Sequence, residues 1–278
     1  MTLASSTSAM CEPYSVLVDV TPAQAERWLS GNIHNRKLNN ARVDRMVRDM
    51  QAGRWHLTHQ GVAFDPTGVL IDGQHRLWAV VLSGLTVKMR IFFNEPPENL
   101  EFIDTGASRS DADVLTLSGR VGTVSKNRLA ALRVLVWGLG ACTRLTISEE
   151  ADLLARHRAA LDFAMEHLAP VSQVRGVATG TTRGVVARAW YSADAAALVH
   201  FCDVLRTGLV TAERDRPVIV LRDFLMNTES STKKPQTLRE HYGKVQRALL
   251  AYLEGKPLAR LYASVTELFP LPEDRKAE

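Results

Sequence analysis

The hydrophobic residues of the chain change their spacing partway along it. Tyr14 to Val20 alternates as a strand does, and Thr21-Pro22 offers an N-cap and a first-turn proline to a helix over Ala23–Leu29. After the polar loop Asn32–Asn39, apolar Val43, Met46 and Met50 recur at helical spacing and predict an amphipathic helix from Asn40 to Ala52, ended by Gly53. Gly61–Phe64 and Val69–Ile71 are short apolar strands joined by the turn Asp65-Pro66-Thr67-Gly68. A helical run over Leu77–Leu82, closed by Ser83-Gly84, leads to a further strand at Thr86–Phe93. From Asp111 onward the pattern is helical: Ala112–Ser118, Lys126–Leu139, Thr146 to about His167, Gly184–Trp190, Ser192–Arg206, Pro217–Met226 and Thr237–Glu254. Val177–Thr182 reads as a Gly/Thr-rich linker, and Leu258–Pro270 as a segment that packs back on the last helix.

The expected fold class is therefore α+β, a small mixed sheet with its helices followed by an all-α part. The domain bounds are a flexible arm over 1–13, a mixed domain over 14–122 and a helical domain over 123–278. Hydrophobic content of 46% and charged content of 23% are those of an ordinary globular protein. Three scattered cysteines, Cys11, Cys142 and Cys202, form no C-x-x-C pair, which argues against a disulfide framework or a zinc site. Met1–Ser8 has neither a basic n-region nor an apolar core, and no apolar run approaches the length of a membrane span. A cytoplasmic protein without a membrane partner is expected. The net charge of +4 permits nucleic-acid binding. Residues 1–122 hold 12 Lys/Arg against 13 Asp/Glu and residues 123–278 hold 22 against 17, so the basic excess lies in the second half.

One polar cluster stands out. Asp72-Gly73-Gln74-His75-Arg76 lies between a buried strand and a helix, where backbone N–H groups are free and a glycine lets a ligand approach. His75 and Arg76 add positive charge, so the turn reads as a phosphate site. The competing reading is a plain turn in which Asp72 caps the helix and Arg76 pairs with an acid. Arg109, after Asp104-Thr105-Gly106, is a second candidate anion contact. Arg42, Arg45 and Arg48 read either as a solvated helix face or as DNA contacts.

Asp72-Gly73-Gln74-His75-Arg76-Leu77 with Ala79 resembles the strand–turn–helix signature of the ParB/sulfiredoxin superfamily, which carries a Gly, polar or basic residues and an Arg at this place. Asn35-Arg36, followed by the helix with Val43, Met46, Met50 and Gly53 and then a strand, is similar to the ParB N-terminal domain. Within the superfamily the chain most resembles phage and mobile-element proteins labelled ParB-like. Ile103–Arg109 and Leu258–Pro270 look like further, less specific matches.

The resemblance implies a ParB/sulfiredoxin-like domain that binds a nucleoside triphosphate, CTP or ATP with Mg²⁺. Phosphates would sit on Asp72, Gly73, Gln74, His75 and Arg76, with Asn35 and Arg36 as partners. It also implies a DNA partner, a homodimer and slow NTPase activity. Two departures stand beside it: ParB has a Gly-Glu-Arg-Arg type turn, and no helix-turn-helix is evident downstream. Sulfiredoxin chemistry needs a Cys where this chain has Gln74. A second implied function is a phosphotransferase, because serine kinases of the superfamily carry Asp-Gly-His-His-Arg; Asp19 and Glu26 are then the available catalytic carboxylates. A nuclease ranks last, since the carboxylate cluster of two-metal cleavage is missing.

Overall fold

The computed structural model describes residues 12–31, 37–101, 109–170, 174–228 and 235–274. Among them are eleven α-helices and one four-stranded mixed sheet, which makes the protein α+β. No helix among the described residues is long and apolar enough to cross a membrane. The chain forms two compact units, one of Met1–Ser108 with Arg144–Ser148 and one of Arg109–Thr143 with Glu149–Glu278.

The first unit contains β1 (Tyr14–Val20), α1 (Pro22–Ser30), α2 (Asn40–Gln51), β2 (Val62–Phe64), β3 (Leu70–Asp72), α3 (Gln74–Ser83) and β4 (Val87–Phe93). Thr21 caps α1 by accepting from the Gln24 N–H, with Pro22 in the first turn, and Asn39 caps α2 by accepting from the Arg42 N–H. The sheet runs β1-β4-β2-β3. β4 pairs antiparallel with β1 from Tyr14↔Phe93 to Val20↔Val87, and parallel with β2 at Val62↔Ile91. β3 returns antiparallel to β2 through the Asp65–Gly68 turn. There the Asp65 carboxylate accepts from the N–H groups of Thr67 and Val69, both at 2.8 Å. Burial alone would raise the Asp65 pKa, but these bonds and the Thr67 hydroxyl outweigh it and hold the carboxyl below its usual range.

Val20, Val43, Met50, Val62, Phe64, Leu77, Val80 and Ile91 form the core of this unit, and α3 packs against both α1 and α2. β1 departs from its alternating pattern. Tyr14, Val16 and Leu17 are exposed and only Val20 is buried, because β1 is an edge strand and its first residues lie outside the covered part of the sheet.

The second unit is built from α4 (Asp111–Leu117), α5 (Lys126–Trp137), the body of α6 (Ile147–Arg156), α7 (Arg158–His167), α8 (Gly180–Ala189), α9 (Ala195–Thr207), α10 (Arg216–Asn227) and α11 (Pro235–Leu253). Of the Val177–Thr182 stretch that reads as a linker, Gly180–Thr182 forms the first turn of α8, capped by Thr179, and Val177–Thr179 lies outside the helix. Its glycines serve packing. A Cβ on Gly180 would meet the Ala130 Cβ at 2.8 Å, and one on Gly184 would meet Val134 Cγ1 at 2.5 Å, so α8 and α5 touch backbone to side chain. Two buried arginines on α8 satisfy carbonyls that two helix ends and the C-terminal segment leave open. Arg183 donates to the Leu168 carbonyl after α7, and Arg188 donates to the carbonyls of Leu135 and Phe269.

The helix expected to run unbroken to His167 is interrupted at His157, whose backbone leaves the helical region and whose ring is buried 2.8 Å from the Tyr191 hydroxyl. Burial pushes the His157 pKa down; Glu273, 3.6 Å away, opposes this without overcoming it.

Two predictions follow from this packing. Gly184→Ala gains about 1 kcal/mol of helix propensity but forces a clash costing roughly 1–3 kcal/mol, so a net loss of melting temperature is expected; a variant more stable than wild type would refute the close approach. For His157, the unfolded chain titrates near the ordinary 6.5, above the folded value. Stability is therefore full above that pH and falls as the pH drops below it. Thermal melts at about pH 7.5 and about pH 5.5 should show this loss, and His157→Gln should reduce it.

Candidate functional site: the start of helix α3

Gly73 lies between β3 and α3 with φ +100°, a left-handed conformation open to glycine. A Cβ there would also lie 2.9 Å from the Val62 backbone, so the turn rests directly on β2. With Gly73 as N-cap the helix begins at once. Gln74, His75 and Arg76 form its first turn, where the sequence places the helix only from Leu77. No side chain caps this end. The Asp72 carboxylate instead accepts from the Gly73 N–H at 2.7 Å, one residue earlier. The first intrahelical bonds are made by the N–H groups of Arg76 and Leu77 to the Gly73 carbonyl, so that of Gln74 stands ahead of the ladder.

The three side chains of this turn do different things. Arg76 is 9% exposed and points into the fold. It donates to the Gly61 carbonyl at 2.7 Å and to Gln60 Oε1 at 3.1 Å, with Asp72 Oδ2 at 3.4 Å. It thus ties the entry of β2 to the exit of β3, and a bidentate grip on phosphate would require it to release Gly61. His75 is 7% exposed, and its Nε2 accepts the Asn39 N–H at 3.1 Å. An accepting Nε2 fixes the neutral ring with its proton on Nδ1. Because Asn39 caps α2, His75 couples the start of α3 to the start of α2. Gln74 places Oε1 in a buried position without a hydrogen-bond partner.

The other expected site residues lie elsewhere. Asn35 and Arg36 fall outside the described residues, in the segment just before Asn39. Arg109 is exposed and belongs to the second unit. Asp19 is an exposed β1 residue whose cross-strand partner is Lys88, 3.8 Å away, and Glu26 is exposed on α1. Sequence reasoning missed Gln60, Gly61 and Asn39, the partners of Arg76 and His75. A glycine at a strand entry was the only local signal of a close approach, and nothing in the sequence pairs it with an arginine 15 residues on.

Comparison with protein-family models finds no match, and no curated protein or solved structure matches the chain.

Arg76→Met keeps the bulk of the side chain and removes its donors, leaving the Gly61 carbonyl unsatisfied. A loss of about 2–3 kcal/mol in urea denaturation is expected. A variant as stable as wild type would show that the guanidinium does not hold the turn.

Proposed function

We propose that the chain is a ParB-like nucleotide-binding protein that acts on or with DNA, with phosphate held at the Asp72–Arg76 turn. The observation that carries this reading is the start of α3: a helix N-terminus with no side-chain cap, set on a left-handed glycine directly after a strand. Such an end presents N–H groups and the positive end of the helix dipole to an anion. In this reading the backbone N–H of Gln74 contacts a phosphate oxygen. Gly73 clears the approach, and Arg76 keeps the turn in place through Gly61 rather than touching the ligand. The His75 ring holds Asn39 at the start of α2. Among the described residues no group of three or more His, Cys, Asp and Glu is placed to hold a metal ion, so Mg²⁺ would arrive on the nucleotide's own phosphates. The pI of about 9.1 supports a polyanionic partner.

The discriminating variant is Gln74→Glu. A carboxylate in the first turn favours the helix dipole, yet it repels phosphate at the same place. Titrations of CTP, ATP, ADP and GTP with Mg²⁺ should give saturable binding to wild type. In Gln74→Glu binding should fall about tenfold or more, measured well below the variant's own melt, which should drop because its carboxylate takes the buried place of the Gln74 amide oxygen. Absence of binding to all four nucleotides would overturn the reading, and so would equal affinity in the variant.

A further inference from the structure

The C-terminal end of α11 carries a second site, in the helical unit. Gly255 (φ +63°) reverses the chain, with its N–H on the Tyr252 carbonyl and the Lys256 N–H on that of Ala251, the paired bonds of a Schellman ending. The returning segment then runs back along α11 and is fastened to it. The Ser264 N–H donates to the Gly243 carbonyl, Gln246 bonds both the Thr266 carbonyl and the Leu268 N–H, and the Tyr242 hydroxyl donates to Glu267. Gly243 makes room for this, since a Cβ there would lie 2.5 Å from the Ser264 carbonyl oxygen.

Between the last turns of α11 and this fastened segment lies a cleft of about 580 Å³. Its floor is apolar, from Leu250 and Leu258, and its charged lining is Arg247, Lys256 and Arg260 against the single acid Glu254. Glu254 is paired with Lys256 at 2.9 Å. Arg247 lies over the Tyr262 ring, 4.6 Å from its centroid, and also bonds its hydroxyl. Tyr262 is nevertheless 51% exposed. The cleft thus combines an exposed aromatic ring paired with a guanidinium, an excess of positive charge and apolar lining.

We propose that this cleft binds single-stranded nucleic acid, with a base stacked on the Tyr262–Arg247 pair and the adjoining phosphate neutralised by Arg260. Stacking platforms flanked by cations are the chemistry by which proteins hold unpaired strands without sequence preference. An acidic peptide would match the charge but would leave the aromatic face unused. The site needs nothing from the β3–α3 turn. It extends the reading that the protein acts with DNA by giving a place and a strand form for the contact.

The test is fluorescence anisotropy of the full chain with a labelled oligothymidylate of about a dozen nucleotides. Wild type should bind, and Tyr262→Ala should weaken binding about tenfold. Tyr262→Phe, which keeps the ring, should stay within about twofold, and Arg260→Ala should lower the salt dependence by about one ion. Tyr262 and Arg260 are exposed, so all three variants should melt as wild type does. Absence of strand binding overturns the proposal. Equal losses in Tyr262→Ala and Tyr262→Phe, or no loss in either, also overturn it, since stacking would then have no part. Displacement of the strand by polyglutamate, by duplex of the same length or by thymidine monophosphate at equal nucleotide concentration does the same. Gln74→Glu should bind the strand as wild type does, and Tyr262→Ala should bind nucleoside triphosphates as wild type does, which separates a failure here from a failure of the turn.

Discussion

The first unit depends on one buried guanidinium. Arg76 donates to the carbonyl of Gly61 and to the side chain of Gln60, and through them it locks the entry of β2 to the first turn of α3. A buried cation is costly unless its donors are used, and here they are spent on a backbone carbonyl, an amide and a neighbouring carboxylate. That lock acts beside the Asp72 bond to the Gly73 N–H and the left-handed glycine itself. Gly73 can rest against Val62 because β2 is held in place, and the helix can start without a capping side chain because the turn is fixed from below.

The helical unit uses arginine in the same way. Arg183 and Arg188 both project from α8 into the interior and donate to carbonyls that α7, α5 and the C-terminal segment leave open. Glycine on the opposite side of the same problem brings α8 close enough to α5 for those reaches to work. Polar satisfaction and close packing are thus solved together on one short helix.

Much of this was legible from the residues, though unevenly. Thr21-Pro22, Asn39 and the apolar spacing of Val43 and Met50 announced α1 and α2 because capping and periodicity are local signals. The Asp72–Arg76 turn was found for the same reason. Its internal division of labour was not. Whether an arginine faces a ligand or a carbonyl is decided by a partner far along the chain, and Gly61 gives no sign of its own that it is that partner. Gly180 misled in the opposite direction, since a residue favoured in loops here lets two helices touch. The α11 cleft escaped notice because a chain reversal at Gly255 assembles it, setting Tyr262 beside Arg247 from 15 residues along the chain.

The left-handed turn at Gly73 also limits how this region can diversify. Any side chain at that position would be strained by the backbone and would press on Val62 at once. Arg76 is bound to its carbonyl, and Asp72 to the glycine N–H. Positions 74 and 75 are what remains, and 75 already holds the start of α2. A descendant of this chain that acquired a different ligand preference would therefore have Gln74 as its one inexpensive site of change in the turn, and would have to find the rest of its novelty in the loop before α2.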